Sequence, residues 1–277
     1  MSEVKPVSFR GGGFVVVPKK GAAPVAFIAL IALWEIAVRF GWISPIFLPS
    51  PASIVEAFWE LAVSGTLWLH IGQSLRRLLA GWVLGTTGGL ALGFAIGVWS
   101  LSRAVGLPLV SALFPIPKIA LLPLLILWLG IGETSKVATI ALGVFFPTVI
   151  ATFSAIDGVP RNLIRMGQSF NLPAVDVLRK IVLPGALPGI LAGFRITASI
   201  GLILLVSAEM IGAEHGIGAF ILQAGNLMQT DQLLAGVVML SVLGLIIGTG
   251  LNRLERWLLR WRKTKSKTLL FRVGPSR

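Results

Sequence analysis

The side chains able to do chemistry in this chain are few, and most stand alone. Zero Cys removes thiol nucleophiles, disulfides, Fe–S clusters and thiolate zinc sites together. The only imidazoles, His70 and His215, lie far apart in sequence and give no metal site. Glu56 and Glu60 stand one helical turn apart, but i,i+4 carboxylates on an exposed face are ordinary and no general acid or base accompanies them. The sequence holds no HExxH, no GxSxG, no paired intramembrane Asp and no G-x-x-x-x-G-K-[ST] phosphate loop. We read no catalytic residue, no metal and no cofactor of the chain's own. Three charges remain inside apolar runs: Glu35, Lys118 and Glu209. Each costs at least ~2.5–3.5 kcal/mol on insertion scales and needs a reason to be there.

The runs that hold them define the class. Of 277 residues, 55% are hydrophobic and 13% charged, against roughly 25% charged in soluble domains. A membrane span needs about 17–25 mostly apolar residues, and six stretches read as spans. They are 21–38, 78–102, 104–132, 137–156, 196–213 and 232–251. The third carries Pro108, Pro115, Pro117 and Pro123, so it is expected to kink or break and to need partners from neighbouring helices for the freed backbone groups. Glu35 has Arg39 at i+4 and an ion pair is its simplest account. Lys118 sits among the prolines, where an unwound segment would turn it toward a cavity and favour an anionic solute; snorkelling, or pairing with an acidic residue of another helix, is the alternative account. Glu209, late in the fifth span, is expected as a gate, packing or solute contact. We carry Lys118 and Glu209 forward as a candidate substrate pathway.

The formal charge of +13 would suggest nucleic acid in a soluble protein. Mapped on the spans it becomes an orientation signal. With both termini cytoplasmic, nineteen Lys and Arg lie inside and four (Arg39, Arg76, Arg77, Lys136) outside. The basic tail follows a span directly and is placed to meet anionic lipid headgroups, not nucleic acid. No small-residue cleavage site follows the first apolar run, which reads as an uncleaved anchor. The expected divisions are a cytoplasmic segment 1–20, a first helix with an outer amphipathic segment 21–65, a core 66–255 with a loop at 157–193, and a basic tail 256–277.

That loop is too long for a simple turn. Arg161–Phe170 and Pro173–Val182 each present apolar residues at helical spacing, separated by Asn171-Leu172-Pro173. Asn tolerates the left-handed conformation that ends a helix and Pro suits the first turn of the next. Pro184-Gly185 is expected to stop the second helix and Pro188-Gly189 to mark re-entry into the membrane. A helix-turn-helix of this kind packs either on its own membrane domain or on a cytoplasmic partner.

Here the residues resemble a family. Leu163–Pro184 is similar to the coupling (EAA) loop of type I ABC importer permeases, and Leu183–Arg195 resembles the LP-ALP---G-R signature of the branch carrying nitrate, sulfonates, taurine and bicarbonate. Matching stretches are Leu48–Pro51, Ser74–Arg77, Leu122–Leu124 with Trp128–Glu133, and Ala208–Met210 with Gly216–Gly218, so the resemblance runs from about Trp34 to Trp261. Two departures stand out. Arg165-Met166-Gly167 replaces the usual Glu-Ala-Ala, and Asn171 replaces the turn glycine.

The resemblance implies an all-α polytopic membrane protein of six transmembrane helices with cytoplasmic coupling helices. It also implies that Arg165, Met166, Gly167, Phe170, Asn171, Leu172, Pro173 and Pro184 form the ATPase-coupling loop. The expected partners are a second permease copy, two cytoplasmic ATPase subunits that bind ATP and Mg, an external solute-binding protein, and membrane lipid. A self-sufficient ion-coupled transporter is the alternative, disfavoured because no inverted repeat is visible and titratable groups are few.

Overall fold

The computed structural model describes residues 22–261, and the segment 1–20 and most of the basic tail lie outside the described residues. The described residues fold into helices, as apolar runs in hydrocarbon must, because only a helix satisfies its own backbone groups without water or a neighbouring strand. An 18-residue helix α1 (Ala22–Arg39) leads to α2 (Pro51–Val63) and then to the 33-residue α3 (Thr66–Val98). One residue, Trp99, separates α3 from α4 (Ser100–Leu113). A 3-10 turn, Lys118–Leu121, opens α5 (Leu122–Leu129), and α6 (Glu133–Asp157) follows. Then come α7 (Arg161–Ser169), α8 (Ala174–Val177), α9 (Leu183–Glu209), α10 (Ile217–Asn226) and α11 (Thr230–Leu258).

Four helical stretches are long and apolar enough to cross a membrane: Thr66–Val98, Glu133–Asp157, Ala174–Glu209 and Thr230–Leu258. The pair Ser100–Leu113 and Lys118–Leu129, bent by 84°, makes a fifth when taken as one broken span. The break falls where the prolines place it.

Two boundaries differ from the sequence reading. Helix α3 begins twelve residues before the expected Leu78, so Arg76 and Arg77 stand within a helix and not in an outer loop. Pro184-Gly185 does not stop a helix, because α8 continues into α9 through a π turn, Leu178–Val182. Pro184 has no N–H, and in an α-helix its ring would clash with the carbonyl four residues back. The wider π turn, closed by Leu183 N–H donating to the Leu178 carbonyl, takes up that misfit and keeps the rod intact.

Helix α2 starts at a Ser50 cap, with Oγ accepting from Ser53 N–H at 3.1 Å, and Pro51 at its first position. It has two apolar faces. Ile54, Ala57 and Leu61 pack on Phe220, Ala235 and Met239 of α10 and α11, while Val55, Trp59 and Val63 face outward. The expected Glu35–Arg39 pair forms at 2.5 Å, and the second Glu35 oxygen accepts from Ala52 N–H at 3.1 Å, tying α1 to the start of α2.

The centre of the fold is α3 against α6, with α9 packed on α6 and also touching α3. Along α3 a glycine recurs every fourth residue, at 81, 85, 89, 93 and 97, and each faces α6. A Cβ at Gly85 would lie 2.4 Å from the Ala141 carbonyl oxygen, and one at Gly89 would lie 2.6 Å from Thr148 Cβ and 2.8 Å from the Phe145 carbonyl oxygen. The two backbones therefore approach as only small residues allow, and dispersion holds them where lipid offers no hydrophobic drive. The period was present in the sequence. Gly89→Val is expected to destabilise the protein by about 1–3 kcal/mol through overpacking. Gly88→Ala, whose Cβ would meet only Phe145 at 3.4 Å, is expected to be near neutral, and thermal unfolding in detergent measures both.

Candidate functional site

Three constellations carry the polar groups. The first is the loop after α6. Helix α7 ends on Asn171, whose φ of 53° is left-handed, one of two non-glycine residues with positive φ among the described residues. Leu172 N–H donates to the Gly167 carbonyl at 3.1 Å and Asn171 N–H to the Gln168 carbonyl at 2.9 Å, the two bonds of a Schellman end. The apolar contact that accompanies such an end is made by Leu172, whose Cδ1 would stand 3.6 Å from a Cβ on Gly167. Gly167 is buried because Ile181 presses on it, and a Cβ there would lie 2.8 Å from Ile181 Cδ1. Pro173 then caps α8.

The inner face of the loop packs on the membrane domain: Ile164, Leu172, Val177 and Val182 join Ile156 and Ala186. Both packing partners weighed from the sequence therefore remain in play, because the outer face stays open, with Met166 at 53%, Phe170 at 75% and Val175 at 60% exposure. Arg165, Asn171, Pro173 and Pro184 are also exposed. A cleft of about 470 Å³ lies under the loop beside the Arg103–Asp157 ion pair of 2.9 Å, with Gln168 and Leu172 in its wall.

The second constellation is at the opposite end of α9. Glu209 is fully buried, and both carboxylate oxygens are engaged. Ser74 Oγ lies 2.8 and 2.9 Å from them, Arg77 Nη1 donates to Oε1 at 2.8 Å, and Gly218 N–H donates to Oε2 at 2.9 Å. Arg77, itself 4% exposed, also grips Glu133 with two parallel bonds of 2.7 and 2.6 Å and reaches the His215 carbonyl at 2.5 Å. This planar fork is geometry that Lys could not reproduce.

Three successive amide N–H groups at the start of α10 find side-chain acceptors. Gly216 N–H lies 3.0 Å from His70 Nδ1, which accepts when its proton is on Nε2; Ile217 N–H meets Ser74 Oγ at 2.8 Å; Gly218 N–H meets Glu209. Gly216 cannot be another residue: its φ is 139° and a Cβ would lie 2.4 Å from the Glu209 carboxyl carbon. The His70 and His215 rings, far apart in sequence, meet edge-on with centroids 5.9 Å apart. Among the described residues no group of His, Asp or Glu is arranged to hold a metal ion.

The third constellation holds the lysines. Lys118 Nζ donates to the carbonyls of Leu113, Phe114 and Ile116 at 2.9, 3.2 and 2.6 Å and stands 4.7 Å from the Phe146 ring centroid. Lys136 Nζ, buried, donates to the carbonyls of Ile131, Gly132 and Gly212 at 2.8, 3.1 and 3.1 Å. The partners of the broken span's carbonyls come from Lys118 of the same segment, not from neighbouring helices as expected. An ammonium has three N–H donors, and here all three are used. Glu209 and Lys118 are far from free charges.

Arg77, Ser74, Glu133, Lys136 and Gly216 were missed as a site. The available signal was their presence in separate short motifs, Ser74–Arg77, Glu133, Ala208–Met210 and Gly216–Gly218, which the fold brings to one place. Glu209→Ala takes a buried partner from Arg77 and strands the Ser74 hydroxyl and the Gly218 amide, and an expected loss of about 3–5 kcal/mol follows from breaking a buried pair. Arg77→Met with Glu209→Met should recover part of it, and a double-mutant cycle of thermal unfolding measures the coupling.

The chain matches a family described as the binding-protein-dependent transport system inner membrane component over residues 85–264. It is 35% identical over 237 residues to the taurine transport system permease protein TauC of Escherichia coli, covering 84% of this chain and 86% of that one. To the putative aliphatic sulfonates transport permease protein SsuC of Bacillus subtilis it is 37% identical over 235 residues, 85% of each chain. The riboflavin transport system permease protein RibX of Chloroflexus aurantiacus is 34% identical over 239 residues, 86% of this chain and 89% of that one. In fold it is similar to a chain of the MetNI methionine ABC transporter solved in inward-facing conformations, with TM-score 0.59 and 23% identity, covering 69% of this chain and 96% of that chain. By the family match over residues 85–264 and by these relatives, this chain belongs to the binding-protein-dependent inner membrane components, the permeases of ABC importers.

Proposed function

We propose that the chain is the transmembrane permease subunit of an ATP-driven importer carrying a small anionic solute of the sulfonate and taurine or nitrate and bicarbonate type. It works as two copies with two cytoplasmic ATPase subunits and an external solute-binding protein, and ATP and Mg bind to the ATPases. Helix α1, 18 residues long, supplies the sixth span beside the five described above, and both termini are then cytoplasmic, in keeping with the distribution of Lys and Arg.

The observation that carries the reading is the loop 157–193. Its inner side is fixed to the membrane domain, its turn is set by the left-handed Asn171, and it presents Met166, Phe170 and Val175 outward. An exposed apolar strip on a rigid support is suited to a protein partner. Arg165 offers a cation on the same surface where the family usually has a carboxylate, so an acidic partner residue suits it. The anionic character of the solute is supported by the relatives named for taurine and aliphatic sulfonates. The riboflavin relative makes the solute a matter for direct measurement.

The test uses the permease co-purified with its ATPase and binding protein in proteoliposomes. Uptake is expected to require ATP and to survive an ionophore; uptake that follows an ion gradient without ATP overturns the reading. Asn171→Gly should keep coupling. Asn171→Val, forced left-handed at about 1–2 kcal/mol, should lower ATP-coupled uptake by about tenfold. Phe170→Asp, at an exposed position, should leave unfolding temperature unchanged and abolish ATPase co-purification. A binding screen with taurine, alkylsulfonates, nitrate and bicarbonate identifies the solute class.

A further inference from the structure

The break between α4 and α5 is a cation site already filled from within. In a continued helix the Leu113 carbonyl would accept from the N–H of residue 117, but Pro117 has no N–H, and Pro115 likewise offers none to the Ser111 carbonyl. The chain turns by 84°, and the carbonyls of Leu113, Phe114 and Ile116 converge on one point. Oxygens of an unwound segment at the C-terminal end of a half-helix are the ligands with which broken membrane helices hold a monovalent cation. Here the point is occupied by Lys118 Nζ, with the face of Phe146 from α6 on another side. The same three-carbonyl arrangement recurs around Lys136, where the loops before α6 and after α9 meet.

We propose that Lys118 is a tethered cation: its ammonium holds the break of the span in place of a free monovalent ion, so transport takes no such ion, and shortening the side chain opens the site to one. Lys118 is thus a positioning residue, not a solute ligand. This rests on the ATP-driven reading above, and its failure is separable from the failure of that reading.

The experiment compares ATP-driven uptake and unfolding temperature of the reconstituted complex in KCl, NaCl and choline chloride. The wild type should be indifferent to the cation. Lys118→Ala should lose uptake in choline and regain it in KCl or NaCl by about tenfold, with a matching rise in unfolding temperature, the linkage effect of a cation at about ten times its Kd. Lys118→Arg, which keeps a cation in the cage, should remain indifferent. ATP-driven uptake by the wild type that needs Na⁺ or K⁺, or a Lys118→Ala protein equally active in choline and KCl, overturns the proposal and leaves the ATP-driven reading standing; uptake by the wild type without ATP overturns that reading instead. If Lys118→Ala assembles in no buffer, Lys118→Met decides. An active Lys118→Met shows that no charge is needed and overturns the proposal, while its failure beside a functional Lys118→Arg supports it.

Discussion

Backbone polar groups have no water to turn to inside a bilayer, and this constraint explains where the chain puts its charges. At three places where a helix of the membrane domain stops or bends, side chains meet the orphaned groups. Lys118 takes the carbonyls at the end of α4, and Lys136 takes those of the loops at Ile131, Gly132 and Gly212. His70, Ser74 and Glu209 take the amides that open α10. In these three contacts the signs match the groups met: ammonium groups face carbonyls, and the Glu209 carboxylate faces an amide that opens α10. Arg77 then pairs with both Glu209 and Glu133, one cation against two carboxylates, and the buried ammonium of Lys136 close by brings the set to neutrality.

The two ends of the α9 rod are built differently. The helical stretch from Ala174 to Glu209 has 36 residues, about 54 Å at 1.5 Å per residue. One end is locked by a buried ionic cluster whose geometry has two or three bonds per partner. The other rests on aliphatic contacts among Val177, Val182, Ile156 and Ile164, which slide more easily than a bidentate ion pair because dispersion has no direction. A displacement applied to the loop is thus carried along a continuous helix toward an end that resists it. The π turn at Leu178–Val182 and Pro188 both interrupt the regular α-helical ladder at the loop end of the rod.

Local chemistry was legible in the sequence and long-range pairing was not. The positive φ of Asn171, the Glu35–Arg39 pair and the proline break in the third span depend on residues within a turn of one another. The continuation through Pro184 was missed because the rule that proline ends a helix assumes an α-turn, and the chain widens the turn instead. The Arg77–Glu209 cluster was missed because contacts such as Arg77–Glu133 and His70–Gly216 join residues 56 and 146 apart, and nothing in the composition says that Arg77 and Glu209 meet. The glycine period of α3 was visible but has meaning only once α6 is known to lie against it. The domain boundaries and the loop's residue roles are expectations that belong with the proposed assembly.

The polar accounting also bears on selectivity. Among the described residues, Glu35, Arg77, Lys118, Lys136, Glu133 and Glu209 are each held by a partner within the chain. A side chain that holds a helix end together cannot release it to follow a solute without reopening an orphaned backbone group, at about 1–3 kcal/mol for each. These charges are therefore poor discriminators between one anion and another, or between an anion and a larger neutral ring. That permeases named for taurine, aliphatic sulfonates and riboflavin are 34–37% identical to this one chain fits a framework in which the buried polar groups keep the helices in register. In the proposed assembly, discrimination between solutes then falls outside these buried charges.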